Sequence, residues 1–325
     1  MWGMMKPTLR RYRDDDDTWR IRDFLRQVML LNGRRELSWH VARLDYWRWH
    51  VVENCRACNA IEDVTFIWET PDDRIAAVLN PEGRGEAHVQ VHPGLRTPEL
   101  EEAMLDVAEQ RLSEQRPDGR SRLVVFADNG DAMRRSLLAR RGYTVGDWPD
   151  AAEHQRRRVL SEPIPPAPAP AGYTVRPLGD VAELPARSWA SWRAFHPDEP
   201  GEKYEGWTWY HNVQRQPLYR RDLDIVAVPD QPAVTEFAPT GEIAAFCTAW
   251  YDDVTRTAYF EPVGAAPEHQ RRGLGKAVMT EALRRLQQMG CVLAFVGGYS
   301  RVANALYASA GFTEYDLSEP WVRQW

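Results

Sequence analysis

Four cysteines in 325 residues are too few for a disulfide framework. Cys55 and Cys58 form one Cys-x-x-Cys on a stretch that reads as helix, with no second pair nearby. A zinc site or redox pair is the weaker reading of such a lone pair; free thiols, buried or partly exposed, and no bound metal are expected. No apolar run approaches the ~20 residues of a membrane helix. The segment from Met1 to Arg13 is basic but lacks the apolar centre of a secretion signal. A cytoplasmic protein without a membrane partner is therefore expected. A formal net charge of −6 argues against a general nucleic-acid binder, which is usually basic. Two phosphate-binding patterns are also missing. There is no Gly-x-x-x-x-Gly-Lys-Ser/Thr, and no Gly-x-Gly-x-x-Gly follows a strand.

What is present is a different phosphate-binding arrangement. A β run from Tyr259 to Ala265 leads into Pro267-Glu268-His269-Gln270-Arg271-Arg272-Gly273-Leu274-Gly275-Lys276-Ala277. The periodicity then predicts an amphipathic helix from Leu274 to Met289, with Leu274, Val278, Ala282, Leu286 and Met289 on one face. Two glycines and two arginines thus sit where a turn opens a helix. Unpaired N–H groups at a helix start and the helix dipole both favour an anion, and the missing Cβ atoms admit phosphate oxygens to the main chain. Arg271 and Arg272 add charge-assisted bonds.

This segment resembles the Gln/Arg-x-x-Gly-x-Gly/Ala loop of the GNAT N-acetyltransferase superfamily. The resemblance implies that Gln270, Arg271, Arg272, Gly273, Leu274, Gly275 and Lys276 hold the pyrophosphate of acetyl-CoA, the acyl donor. It also implies that the pantetheine arm lies along Val263-Gly264-Ala265. A backbone N–H there would serve the oxyanion, and Gly264 would allow a bulge that opens the cleft. Asn304-Ala305-Leu306-Tyr307, followed by Gly311-Phe312, resembles the family helix whose tyrosine protonates the leaving thiolate and whose asparagine bonds the cofactor. Tyr307 and Asn304 take those roles; the alternatives are a core tyrosine and a capping amide. Glu261 is the candidate general base, although the family's glutamate stands two positions earlier, where this chain has Tyr259. A solvent-facing Glu261 is the competing reading, and Asp198 and Glu199 are alternative bases.

The chain reads as two copies of one plan. Prolines 163, 165, 166, 168 and 170, ending at Gly172, mark an extended linker over 161–172. Leu137-Leu138-Ala139-Arg140-Arg141-Gly142-Tyr143-Thr144 before it matches Leu306-Tyr307-Ala308-Ser309-Ala310-Gly311-Phe312-Thr313 after it. In both, a helix stops at a glycine and an aromatic opens a strand. The expected fold class is α+β, of α/β sandwich type: two tandem GNAT acyltransferase folds, each a mixed, mostly antiparallel sheet flanked by helices. Residues 1–160 would be a degenerate copy and 173–325 the catalytic domain. The counterpart of the phosphate loop is Val91-His92-Pro93-Gly94-Leu95-Arg96-Thr97-Pro98-Glu99-Leu100-Glu101-Glu102. Its helix start carries carboxylates where the glycine pair should be, which suits a helix N-terminus and repels a pyrophosphate.

The implied activity is transfer of an acetyl group, not an aminoacyl group, to a primary amine of a small molecule or peptide by direct attack on the thioester. The rival reading is an acyl-CoA sensor or interaction module without catalysis. Trp189, Trp192, Phe195, His196, Tyr204, Trp207, Trp209 and Tyr210 form an aromatic-rich stretch. It reads either as a cup for the acceptor or as an interface with the first half, which would offer Trp39, Trp47 and Trp49. The tandem layout also resembles mycothiol synthase, without enough matching sequence to carry that reaction over.

Overall fold

The computed structural model describes residues 6–166 and 168–325. They divide into two compact units: Met1–Gln155 with Asp316–Trp325, and Arg156–Tyr315. The principal elements, in chain order, begin with β1 (Thr8–Arg11), α1 (Asp15–Leu31), α2 (Val41–Tyr46), β2 (Phe66–Glu69), β3 (Ile75–Asn80) and β4 (Glu86–Val91). Next come α3 (Pro98–Arg111), β5 (Ser121–Asp128), α4 (Ala132–Arg140), β6 (Glu153–Val159), β7 (Tyr173–Pro177) and α5 (Leu184–Phe195). The rest are α6 (Tyr210–Gln214), β8 (Asp224–Pro229), β9 (Ala245–Asp252), β10 (Thr257–Ala265), α7 (Leu274–Gln288), β11 (Leu293–Gly298), α8 (Arg301–Ser309) and β12 (Glu314–Gln324).

Both units build the same mixed, mostly antiparallel sheet. In the first, β1 to β4 pair antiparallel in sequence order, and β4 then pairs parallel with β5. In the second, β7 to β10 pair antiparallel in order, and β10 pairs parallel with β11. A parallel neighbour needs a crossover, supplied by α3 in one unit and α7 in the other. The two units thus share this strand order.

The division of the chain differs from the expected one. β5 is paired antiparallel by Ser318–Gln324, the end of β12, so the last strand completes the first unit. Beside β11 lies β6, whose Arg156–Val159 belong to the second unit. The proline-rich stretch is not a free linker either. Leu160 and Ile164 are buried, and the Gln287 side chain donates to the carbonyls of Leu160 and Glu162. Proline denies this stretch a ladder but leaves its apolar side chains able to cover α7. The cysteine pair lies in a turn rather than a helix; all four cysteines are free thiols.

Apolar periodicity accounts for the helices. On α1, Ile21, Phe24, Leu25 and Val28 are buried against the first unit's sheet, after an Asp14 N-cap and an acidic first turn. On α7, Leu274, Val278, Ala282 and Leu286 are fully buried as predicted, each large side chain contributing about 1.5–3 kcal/mol.

The first turn of α3 shows how the first unit closes its own helix start. Thr97 caps it, its hydroxyl accepting from the Leu100 N–H at 3.2 Å, and Pro98 removes a further donor. Glu101, 1% exposed, is held by Arg134 at 3.1 Å and by Arg96. Burial pushes the Glu101 carboxyl up, and the two arginines more than reverse this, leaving it below its usual value. A carboxyl lowered on folding contributes stability at neutral pH that is lost as pH falls through its folded value. Glu101→Gln is expected to destabilise the protein by about 3 kcal/mol at pH 7. Its deficit in urea unfolding should shrink as pH falls below the ordinary carboxyl value toward the lowered value of the folded protein.

Candidate active site

The site forms where β10 and β11 part. Their parallel pairing runs from Thr257↔Leu293 to Tyr259↔Phe295 and stops there. Phe260 to Ala265 therefore present a main-chain edge toward a widening gap, while the opposite edge stays paired with β9. The register with β9 slips by one residue at Glu261-Pro262, both of which face Thr248. The bulge thus falls at a proline, which has no N–H to give the ladder, and not at Gly264. Gly264 is small for another reason. A Cβ there would lie 2.5 Å from the Phe246 ring and 3.0 Å from Ala194, so the glycine lets α5 and β9 approach β10.

The loop after β10 makes one short turn, Pro267–His269, and enters α7 through Gly273. Gly273 adopts φ = 80°, the left-handed conformation that a side chain disfavours. Arg271, at φ = 59°, shares that conformation. Unlike α3 and α8, the helix α7 has no side-chain cap, and unlike α3 it has no acidic residue in its first turn. Its leading N–H groups keep their donors available, and the dipole is left uncompensated. Gln270, Arg271, Arg272, Gly273 and Lys276 are exposed around it, whereas Leu274 is buried as an anchor. The Gln270 amide donates to the Ala265 carbonyl at 3.3 Å, tying loop to strand. Arg272 donates to the Tyr173 hydroxyl at 2.9 Å and to the Glu268 carbonyl at 3.2 Å. These residues fit a pyrophosphate by chemistry and exposure. Gly275 faces α8: a Cβ would meet Leu306 at 3.0 Å. That glycine serves helix packing.

α8 brings Tyr307 to the same cleft. Tyr307 is buried, and its phenol is held well above its ordinary pKa by burial first, then by the charges of Glu261 and Cys247. Glu261 and Tyr307 are thus electrostatic neighbours. Glu261 is half-buried and its carbonyl accepts from the Trp250 indole. Val263 and Ala265 are half-buried on the same strand. Asp198 is exposed and Glu199 pairs with Lys203 at 3.2 Å.

Asn304 does not present a free amide. Its Nδ2 donates to the carbonyls of Gly298, Tyr299 and Ser300 at 3.0–3.2 Å, and its Oδ1 accepts from Arg156 at 2.6 Å. It clamps the end of β11 to the start of α8, and Gly298 leaves room for it. Arg156 was not marked by the sequence. It reaches from β6 to Asn304 and to the Phe312 carbonyl at 3.0 Å, bracketing both ends of α8. An arginine within Glu153-His154-Gln155-Arg156-Arg157-Arg158 carries no local signal for this role.

The aromatic stretch packs largely on itself. Trp189 stacks on Trp192 and on Phe237, with ring centroids 5.2 and 4.3 Å apart, and Tyr204 closes the group. Phe237, from the loop before β9, was missed because nothing in the sequence ties it to α5. Beneath lies a buried ion pair, Arg187–Asp224 at 3.1 Å, with both side chains fully buried. Tyr210 and Tyr219 both donate to Asp224. Trp39 and Trp47 belong to the core of the first unit.

Among the described residues, Glu82, Glu86 and His88 bring possible metal-ligand atoms within 4.8 Å of one another. The set does not fit a cation well. Arg43 already holds Glu82 at 2.7 Å, and His88 Nδ1 accepts from Trp39, which leaves the proton on Nε2 of the neutral ring.

Residues 187–312 match the acetyltransferase (GNAT) family. This part of the chain is a GNAT-superfamily acetyltransferase domain. The chain is 28% identical over 206 residues to a mycothiol acetyltransferase of Streptomyces scabiei, covering 60% of this chain and 59% of that one. It thus spans about three-fifths of that relative's length. Among solved structures, a GCN5-related N-acetyltransferase from Sphaerobacter thermophilus superposes with a TM-score of 0.64 at 16% identity, over 98% of this chain and 95% of that one. A tandem GNAT protein from the clavulanic acid biosynthesis pathway gives a TM-score of 0.64 at 16% identity and 98% coverage of both chains. No helix among the described residues is long and apolar enough to cross a membrane.

The clamp on α8 makes a direct prediction. Arg156→Ala is expected to lower stability by about 1–3 kcal/mol and to speed amide exchange across Arg301–Ser309, because it removes bonds at both helix ends. Exchange mass spectrometry on wild type and variant measures this.

Proposed function

We propose that the protein is an acyl-CoA-dependent N-acetyltransferase whose second unit performs the transfer, with acetyl-CoA as donor and a primary amine of a small molecule or peptide as acceptor. The carrying observation is the start of α7, where Gly273 takes the cap position without a capping side chain and exposed arginines flank it at the mouth of the β10–β11 cleft. The likeness to proteins named mycothiol acetyltransferases favours a small-molecule amine. The pyrophosphate binds the leading N–H groups of α7, with Gln270, Arg271, Arg272 and Lys276 around it. The thioester arm then follows Val263-Gly264-Ala265 into the gap, and its carbonyl oxygen accepts from main-chain N–H on that edge.

In this reading the neutral amine attacks the thioester carbon. A C–N bond forms and, as the tetrahedral intermediate collapses, the C–S bond breaks. Glu261 accepts the proton that the amine must lose, directly or through water. Tyr307 donates its phenolic proton to the departing thiolate and recovers one from solvent. Its raised pKa keeps it in the acid form throughout the working range. Asn304 acts through position, by fixing α8. The first unit is a degenerate copy of the same fold, its helix start closed by Thr97, Pro98 and Glu101 instead of opened for phosphate. It is scaffold rather than a second catalytic domain.

Calorimetry with acetyl-CoA should give one site per chain; two equivalent sites would contradict the altered first unit. Arg271→Glu with Arg272→Glu should weaken binding at least about tenfold, since two charge-assisted bonds become repulsions. Unchanged affinity would remove the phosphate loop from the reading. Tyr307→Phe should lower kcat by about tenfold or more with unchanged affinity for CoA. Amine-dependent release of free thiol, followed with a thiol reagent, distinguishes an enzyme from a sensor.

A further inference from the structure

The first unit opens a cleft at the place where the second unit forms its active site. β4 and β5 run parallel and pair only at Glu86↔Val124 and Ala87↔Val125. One step further, His88 stacks on Phe126 at 4.6 Å, and beyond them lies a small cavity of ≈ 40 Å³ that opens to solvent. The space is polar, and several groups lining it lack partners. Gln90 is 2% exposed; its Oε1 accepts from the Trp39 N–H at 2.8 Å, which fixes the amide so that Nε2 is the unpaired end. Gln155 is 8% exposed and its Oε1 has no partner. Asp128 Oδ1 accepts from the Gly130 N–H at 2.8 Å, while Oδ2 is buried without a hydrogen bond. Buried polar atoms of this kind cost about 1–3 kcal/mol each when left unsatisfied, so a ligand or water that pairs them is held firmly.

The charges have a clear sign. Two arginines reach the cleft, and both are already balanced: Arg43 by Glu153 and Glu82, Arg134 by Glu101. His88 is neutral, since burial and Arg43 press its pKa down to about 3. Asp128 leaves a carboxylate in the lining that neither of these arginines pairs, and Trp39 and Phe126 supply ring walls. Asp128 Oδ2 and Gln155 Oε1 need donors, and Gln90 Nε2 needs an acceptor.

We propose that this cleft binds a small amino alcohol. Its ammonium head donates to Asp128 Oδ2 and Gln155 Oε1, and its hydroxyl oxygen accepts from Gln90 Nε2. An anion is disfavoured by the Asp128 carboxylate, and a phosphate-bearing ligand finds no open helix start at the capped α3. The site is separate from the proposed transfer chemistry and does not depend on it.

Calorimetry on the full-length protein tests this with ethanolamine, choline and ethylene glycol as probes. Ethanolamine should bind saturably at one site. Choline, which has no N–H, and ethylene glycol, which has no charge, should bind at least about tenfold more weakly. Gln90→Leu and Asp128→Asn should each weaken ethanolamine binding by about tenfold or more, while Tyr307→Phe leaves it unchanged. No saturable binding would overturn the proposal, as would wild-type affinity in both cleft variants while they melt cooperatively. If the variants do not fold, wild-type crystals soaked in ethanolamine decide. Density for the amine beside Gln90 and Asp128 supports the site, and water alone there rejects it.

Discussion

Among the described residues no side chain caps the leading amides of α7, and the function proposed for this chain depends on that. Most helices recruit a side chain to cover these donors. Here the capping position is a glycine in a left-handed conformation, the next exposed residues are cationic, and no carboxylate enters the first turn. A helix start in this state costs stability unless something anionic or water fills it. The parting of β10 from β11 then gives the remainder of a long, thin donor a main-chain edge to follow. Phosphate corner and strand gap are adjacent because β10 runs directly into the loop.

The first unit makes the opposite choice with the same topology. At its corresponding helix, Thr97 and Pro98 dispose of the donors that α7 leaves open, and Glu101 is locked between two arginines. The fold tolerates either solution, since a capped helix is at least as stable as an open one. In the proposed reading, what changes is which ligand the corner admits, so that two units with one strand order differ in chemistry through a handful of residues at one helix end.

Much of this was legible in the sequence because it rests on local rules. The strand from Thr257 to Ala265, the start of α7 at Leu274 and its buried stripe follow from apolar periodicity and glycine placement. The proximity of Tyr307 to Glu261 was legible only through resemblance. Other features were not visible because they join residues distant in the chain. Arg156 reaching Asn304 is one such case, and Phe237 on Trp189 another. Gly264 was misread for a related reason. A strand glycine signals close approach, but what approaches it, here Phe246 and Ala194, is set by tertiary packing. The proline stretch was misread as a tether because composition reports stiffness and says nothing of Leu160 and Ile164 docking on α7.

The closing strands have a consequence for synthesis. β5 finds its partner in Ser318–Gln324, which are translated only after all of the second unit. Until then the nascent first unit carries an exposed strand edge, with unpaired donors and acceptors open to any passing β segment. Gene fission in the proline-rich middle would leave one product short of its final strand and the other encumbered with a strand it cannot use. The two halves are thus bound to a single reading frame by hydrogen bonding rather than by the reaction.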